Sequence, residues 1–415
     1  MMRKNIMNEE SMFYSRQMKK VVPHKRETTQ VQKFASRLQS VLPRQKKISL
    51  MERRSSTVSN LKHDMWVLRL DEAIDRYLKE PRKHECVEVY QDLKRQGALT
   101  NWKFVEKDAA IIFVSHEWVG WKHPDPHGIQ IRCALRTLQR LRDGTVSFFC
   151  REILKKKNST HHTNNSFIKG EIEEVIVDVK HSLFYKYKFK KTKAEWVQEL
   201  KNAYIWFDWI SMPQPMASQG LSEHDKAMLE TNGRNAVMSI SAYVERCDFL
   251  LIVAPACAHA DRIDKVTNKK ARTCFRSWRK RGWCVLEFFS AALSRDKAAP
   301  VLLVQSAEAT PYWLAPNDMA FMSAGLADFT CCQLNHVIRG NNVKCDRPIV
   351  RGIIETLITG KIKEYRKLNM NVAARTHVAY TPILLRGLPK AEKEENDSSS
   401  SSDDSEEDSE DDFSV

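Results

Sequence analysis

The amino-acid sequence predicts an α/β fold, in which an open parallel sheet carries helices on both faces, with added helices at both ends. Four apolar runs have the composition of strands that are buried on both faces. Segments with helical spacing of apolar residues separate these runs, and strands that alternate with helices form parallel sheets. The four runs are Ala109–Val114, Ala203–Ile210, Asp248–Pro255 and Ala299–Gln305.

The helices between the runs are predicted from apolar residues that recur every three or four positions. Ile129–Leu141 follows the first run, and Asn235–Arg246 precedes the third. A third helix lies in the stretch Ser277–Ser290, where Trp283, Leu286 and Phe289 share one side. Each helix can therefore bury an apolar face against the predicted sheet.

Length and composition indicate a globular domain with extensions. The chain has 415 residues, of which 42% are apolar, and this is more than one ordinary domain needs. No apolar run is long enough to span a bilayer, and the first residues lack the apolar core of a secretion signal. The ten cysteines include no CxxC pair. We therefore expect no membrane span, and reduced thiols in the cytoplasm or the nucleus.

Charge is unevenly distributed along the chain. The net charge is +15, but residues 391–415 carry −11, which leaves +26 on the rest. We expect a disordered basic arm at 1–60 and a disordered acidic tail at 391–415, because both are polar and highly charged. The basic body could attract nucleic acid, but no nucleic-acid-binding motif accompanies it, so only weak binding is expected.

Two further segments are expected to pack on the domain 108–306. Residues 61–107 are predicted to be a helical hairpin made of Trp66–Leu78 and Lys83–Lys94, with Pro81 between the helices. Residues 307–390 form a C-terminal extension that ends in a helix near Ile349–Tyr365.

An insertion at 144–195 interrupts the alternation of strands and helices. Within it, Tyr185, Tyr187 and Phe189 alternate with lysines, which predicts a strand with one aromatic face and one lysine face. Such a strand could bind nucleic acid through its basic and aromatic side chains. A lysine-protected edge strand is the interpretation we favour.

Glu287 stands out because it lies within the apolar helix after the third run, between Leu286 and Phe288. On one interpretation it is a polar-edge glutamate, paired with one of the arginines at 276, 279 or 281. On the other it is a carboxylate held in a cleft, where desolvation would raise its pKa and nearby arginines would lower it.

The order of these motifs resembles that of the Toll/interleukin-1 receptor (TIR) superfamily, whose sheet is flavodoxin-like. The similarity covers roughly residues 108–306. The first strand and loop of TIR domains correspond to I-I-F-V-S-H-E-W in this chain, and their second strand and loop correspond to W-F-D-W-I-S. The W-C-x-x-E-L segment of plant-type TIR domains corresponds to Trp283–Phe288. The chain is also similar to the fungal heterokaryon-incompatibility domain, which has an R-G-W-x-x-E element.

The resemblance implies a signalling or defence-type domain that cleaves NAD at the nicotinamide–ribose bond, with Glu287 as the catalytic carboxylate. NAD would be the substrate, and no separate cofactor is expected. The alternative is a non-catalytic module of the same fold that self-associates and docks protein partners. The resemblance nominates no residue other than Glu287.

Other binding residues are nominated by their places in the predicted fold. Ser115 and His116 end the first strand, and ligands of open α/β sheets bind at the carboxyl ends of strands. Asp208 lies at the end of the second strand, where it could alternatively cap the next turn. Trp118 and Trp283 could stack on a flat ring, although buried tryptophans more often belong to the core.

No metal site is expected from the sequence. The pair His123 and His127 has helical spacing, but prolines between them forbid a helix. Cys331, Cys332 and Cys345 could bind zinc together with His336. Adjacent cysteines are poorly placed to ligate one ion, so buried thiols are the expectation.

Overall fold

The computed structural model describes residues 61–79, 86–146, 174–179, 187–218, 220–264, 266–294, 299–314, 322–338 and 340–390. All of them fall within one structural unit, Leu50–Val415. The predicted arm and tail, and most of the insertion 144–195, lie outside the described residues.

A mixed sheet stands at the centre of the described part of the chain. It contains seven strands: β1 (Trp66–Arg69), β2 (Leu99–Asn101), β3 (Ile111–His116), β4 (Tyr204–Phe207), β5 (Phe249–Val253), β6 (Val301–Val304) and β7 (Tyr312–Leu314).

The spatial order of the strands is β7-β6-β5-β3-β4-β1-β2. Strands β6, β5, β3 and β4 run parallel to one another, and these are the four apolar runs. Strands β1, β2 and β7 are antiparallel to their neighbours. The α/β fold is therefore confirmed, but the sheet is parallel only in its four central strands.

Helices and smaller hairpins complete the described structure. The α-helices are α1 (Leu70–Ile74), α2 (Tyr90–Arg95), α3 (Ile129–Arg142), α4 (Lys193–Leu200), α5 (Asp208–Ser211), α6 (Glu223–Met238), α7 (Ile240–Arg246), α8 (Phe275–Trp278), α9 (Gly282–Leu293), α10 (Thr330–Gln333), α11 (Arg347–Lys367) and α12 (Asn371–Leu384). Single helical turns cover Asp75–Lys79, Trp102–Phe104 and Pro215–Ala217. Antiparallel pairs outside the main sheet join Glu174–Val179 to Tyr187–Thr192, Ala258–Ile263 to Lys270–Arg272, and Val337–Ile338 to Asn341–Asn342.

Two apolar cores cover the two faces of the sheet. Ile111 and Phe113 of β3 pack into the core that includes residues of α7, α9 and α11. Ile112 and Val114 pack into the second core, with residues of α1, α3 and α4. Because successive side chains of a strand point to opposite faces, a strand between two cores must be apolar at every position. This explains why the four runs are continuous.

The predicted helix over Trp66–Leu78 is wrong at its start. Trp66–Arg69 is strand β1, which pairs with β4 on one side and β2 on the other, and the helix begins only at Leu70. Hydrogen bonding to two neighbouring strands stabilises the extended conformation, and this outweighs the local preference for a helix that the spacing of the apolar residues indicates. The segment 61–107 therefore adds two strands to the sheet instead of a helical hairpin. Of the second predicted helix, Tyr90–Arg95 is helical, and residues 80–85 lie outside the described residues.

Three other boundaries differ from the prediction. Strand β4 ends at Phe207, because Asp208 begins a helical turn. The helix expected over Asn235–Arg246 is interrupted at Ser239, which separates α6 from α7. The lysine-rich strand is present over Tyr187–Thr192, in a separate two-stranded pair.

No helix among the described residues has the length and apolar character that crossing a membrane requires.

Gly282 provides a test of the packing around α9. A Cβ at this position would overlap the ring of the buried Phe329, so alanine should overpack the site and lower the free energy of unfolding by about 1–3 kcal/mol. Gly352 is exposed within α11, and a Cβ there meets nothing within 4 Å. Gly352→Ala should therefore stabilise the chain by about 0.5–1 kcal/mol. Chemical denaturation measures both changes, and equal stabilities for the two variants would contradict the packing described here.

Candidate active site

Ser115 lies at the carboxyl end of the central strand β3 and joins that strand to α9. Its Oγ donates a short hydrogen bond to Oε2 of Glu287 and accepts one from the indole Nε1 of Trp278 at 3.1 Å. Ser115 and Trp278 are both buried. The hydroxyl is thus fixed in direction, because its one proton is committed to Glu287.

Glu287 is presented by α9 at the edge of the core. The residues on either side of it, Leu286 and Phe288, are fully buried, whereas Glu287 keeps part of its surface open. Oε2 accepts from Ser115, and Oε1 has no hydrogen-bond partner among the described residues. The carboxyl group therefore has one oxygen fixed and one available to a ligand.

The pKa of Glu287 is raised to about 8. Desolvation is the main cause, and the negative charge of Asp208 adds to it. The hydrogen bond from Ser115 and the positive charge of His116 act in the opposite direction. No ion pair of Glu287 is found in the described part of the chain, so the arginine partner of the polar-edge interpretation is missing there, and burial raises the pKa as the other interpretation expects.

His116 forms a second polar group beside the first. Its ring stacks on Phe207 with centroids 4.2 Å apart. Nδ1 lies 2.7 Å from Oε1 of Gln130, and Nε2 lies 2.9 Å from Oδ1 of Asp208. Gln130 donates through Nε2 to the carbonyl of Glu117 at 2.9 Å, which turns its oxygen towards the imidazole. Both ring nitrogens therefore face acceptors, and the doubly protonated imidazolium satisfies both.

The pKa values of the pair agree with this assignment. Burial alone would lower the pKa of His116, but the charge and hydrogen bond of Asp208 and the amide of Gln130 outweigh it, so the pKa is raised. Burial would raise the pKa of Asp208, but His116 and the indole of Trp118 outweigh it, so that pKa is lowered. The two residues form an imidazolium–carboxylate pair in which His116 is buried and Asp208 is partly exposed.

Trp118 extends the site towards solvent. Its Nε1 donates to Oδ2 of Asp208 at 2.6 Å, and its ring meets Trp209 edge to face with centroids 6.0 Å apart. The backbone N–H of Trp209 donates to Oδ1 of Asp208 at 2.6 Å. Asp208 begins the helical turn after β4 without capping it, and it fixes the ring of Trp118, which remains partly exposed.

Glu117 connects the loop after β3 to two other segments through hydrogen bonds. It is buried, accepts from Arg262 at 3.1 Å through Oε1, and accepts from the hydroxyl of Ser277 through Oε2. Ser277 belongs to α8, whose Trp278 reaches Ser115. These contacts hold α8 against the carboxyl end of β3.

The structure brings together five of the six residues nominated from the sequence. Glu287 contacts Ser115, while His116 and Trp118 both contact Asp208. The sixth, Trp283, lies elsewhere, since its Nε1 donates to Oδ2 of Asp346 at 2.9 Å. A role for any of these residues in binding NAD stays a prediction.

Four residues that fix the side chains of the site were not predicted from the sequence: Gln130, Glu117, Ser277 and Trp278. Gln130 carries the clearest signal, because it shares the buried side of α3 with Ala134 and Leu141, where a polar residue needs a partner. Ser277 and Trp278 carry no such signal, because their contacts depend on the position of α8.

Comparisons of the chain with protein-family models, with curated proteins and with solved structures find no match. The resemblance to the TIR superfamily therefore stays a prediction.

Because His116 and Asp208 form an ion pair, the effect of Asp208→Asn on the free energy of unfolding should depend on pH. Asp208→Asn leaves a buried imidazolium without its carboxylate and should cost about 3–5 kcal/mol. The folded pKa of His116 is raised, so the contribution of the pair is full below the unfolded pKa of 6.5 and is lost as the pH rises through the folded pKa. The cost of Asp208→Asn should therefore be largest below pH 6.5 and should shrink as the pH rises from there through the raised folded pKa of His116.

Chemical denaturation across that range measures the effect. Asp92→Asn is the matched control, because Asp92 pairs with Arg95 on the surface and should cost no more than about 1 kcal/mol. A cost of Asp208→Asn that does not change with pH would show that His116 is neutral in the folded chain.

Proposed function

We propose that the chain is a TIR-like enzyme that cleaves NAD at the nicotinamide–ribose bond, with Glu287 as the catalytic carboxylate. The observation that carries the proposal is the position of Glu287. It is held by Ser115 at the carboxyl end of the central strand, its pKa is raised, and one oxygen remains available. Strongly perturbed carboxyl groups at such positions are typical of active sites.

The topology of the sheet supports a ligand site at this position. Numbered along the chain, the four parallel strands β3, β4, β5 and β6 have the spatial order 2-1-3-4. Flavodoxin-like sheets begin with this order, and their ligand lies between the first and third strands, where the order reverses. In this chain those strands are β3 and β5, and Ser115 and His116 are the last residues of β3.

Cleavage of this bond generates positive charge on the ribose, as in glycoside hydrolysis. A carboxylate beside the ribose stabilises that charge, and nicotinamide leaves as a neutral ring. Glu287 is largely protonated at neutral pH when no ligand is present, because its pKa is about 8. The nicotinamide ring of NAD carries a positive charge before cleavage, and this charge favours ionisation of the nearby carboxyl group. Substrate binding would thus produce the reactive form of Glu287.

The surrounding residues would position the substrate. Ser115 fixes the orientation of Glu287 through Oε2. Trp118 offers a partly exposed ring, held by Asp208, on which a flat base could stack. The pair of His116 and Asp208 has no net charge, so it orders the site without repelling either end of a dinucleotide.

Release of nicotinamide by the purified full-length chain tests the proposal. Glu287→Gln keeps the size of the side chain and removes its ability to ionise, so it should lower kcat by about 100-fold or more. For the wild type, kcat/KM should rise with pH up to about 8, because the free enzyme must lose the proton of Glu287. Glu355→Gln is the matched control, because Glu355 pairs with Arg351 on α11 and contacts none of the residues of the candidate site, so this variant should retain full activity.

The assay includes the full-length chain fused to an oligomerising coiled coil, because enzymes of the TIR type are expected to act when self-associated. NAD that stays intact with both forms of the wild type would contradict the proposal, and so would equal rates for Glu287→Gln and wild type. The function that remains would be that of a non-catalytic module for self-association and protein docking.

A further inference from the structure

Three cysteines and one histidine converge beside the N-terminal end of α9. The Sγ atoms of Cys331, Cys332 and Cys345 and a ring nitrogen of His336 all lie within 4.8 Å of one another. Cys331 is buried, while the other three residues are partly exposed. We propose that these four side chains bind one zinc ion as a structural site, and this proposal does not depend on whether the chain cleaves NAD.

The distances fit a tetrahedral zinc ion. Cys332 Sγ lies 3.7 Å from Cys345 Sγ, 4.0 Å from Cys331 Sγ and 3.6 Å from His336 Nε2. Zinc binds sulfur at about 2.3 Å and imidazole nitrogen at about 2.0 Å, so tetrahedral ligands are separated by about 3.8 Å (S to S) and about 3.5 Å (S to N). The sulfur atoms are too far apart for disulfide bonds.

The local fold explains how neighbouring cysteines reach one point. Cys331 and Cys332 lie on the single turn α10, and the hairpin Val337–Ile338 with Asn341–Asn342 returns the chain to Cys345. Asn335 and His336 have left-handed φ values of 50° and 58°, which are uncommon for residues other than glycine. These two residues turn the chain so that the imidazole faces the thiols. Two adjacent cysteines can therefore face the same point in this segment.

A hydrogen-bond donor and a positively charged side chain lie beside the cluster. The backbone N–H of Asp346 donates to Cys331 Sγ at 3.4 Å, and such second-shell bonds orient metal ligands. Arg281 lies beside the cluster, where its guanidinium donates to Thr330 and, at 3.1 Å, to Gln333. A positive charge near three thiolates offsets the net charge that would remain on a Cys3His zinc complex.

Four protein ligands leave no open position, which is typical of structural zinc and not of catalytic zinc. A ligand set of three thiolates and an imidazole at tetrahedral distances also favours zinc over magnesium, calcium or manganese, which prefer oxygen ligands. The ion would join α10 to the start of α11, because Cys345 directly precedes Asp346, the residue before α11.

The proposed site is coupled to the helix that carries Glu287. Trp283 of α9 donates to Asp346, and the backbone N–H of Gly282 donates to the carbonyl of Asp328 at 3.0 Å. Phe329 packs directly against Gly282. Zinc would therefore hold the segment 328–346 against the first turn of α9.

Metal analysis of the full-length chain tests the proposal. Reduced protein is incubated with excess zinc, desalted and analysed by mass spectrometry for zinc, iron and copper. We expect about one zinc per chain, as one closed site requires. Cys332→Ser, Cys345→Ser and His336→Asn should lose most of the bound zinc. Cys86→Ser is the matched control, because Cys86 is an exposed free thiol outside the cluster and should leave the zinc content unchanged.

Two measurements on the wild type keep the test decisive if a variant fails to fold. Cobalt in place of zinc should give the strong visible absorption of a tetrahedral thiolate site. Removal of zinc by a chelator should lower the Tm and make the thiols of the cluster reactive. Zinc no higher than in the desalting buffer, binding of iron or copper instead, or full zinc retention by a folded Cys345→Ser would each overturn the proposal.

Discussion

The hydrogen bond from Ser115 to Glu287 ties the central strand of the sheet to α9, and the polar end of the sheet is organised around it. Every residue of β3 is buried, so a polar side chain at its end must find partners within the protein. Ser115 finds them in Glu287 and Trp278, and His116 finds them in Asp208 and Gln130. Because both buried polar residues need partners, the carboxyl group of Glu287, with its raised pKa, lies next to the ion pair of His116 and Asp208.

Much of the fold could be predicted because the physical signals are local. The four parallel strands are continuous apolar runs, and α3 ends within one residue of its predicted end. Strand β1 could not be predicted in this way, because what decides its conformation is pairing with Ile205 of β4 and Leu99 of β2, which are distant in sequence. Spacing of apolar residues alone is compatible with either a helix or a strand over so short a segment.

The candidate site was partly predictable for a similar reason. Residues at the ends of parallel strands must meet at one edge of the sheet, which is why Ser115, His116 and Asp208 lie close together. The role of Trp278 depends on how α8 docks, and that information is not local. The convergence of Cys331, Cys332, Cys345 and His336 could not be predicted from the spacing of the cysteines, because it depends on the left-handed turn at Asn335 and His336.

The proposed role of Glu287 depends on its protonation state, which a titration of its carboxyl carbon measures. In the full-length chain with 13C-labelled glutamate, the signal that disappears in Glu287→Gln should titrate near pH 8. Ser115→Ala should raise that pKa further, because the hydrogen bond from Ser115 favours the ionised form. Titration at the ordinary glutamate value of 4.5 would show instead that the carboxyl group is solvated and is not held in the buried state described here.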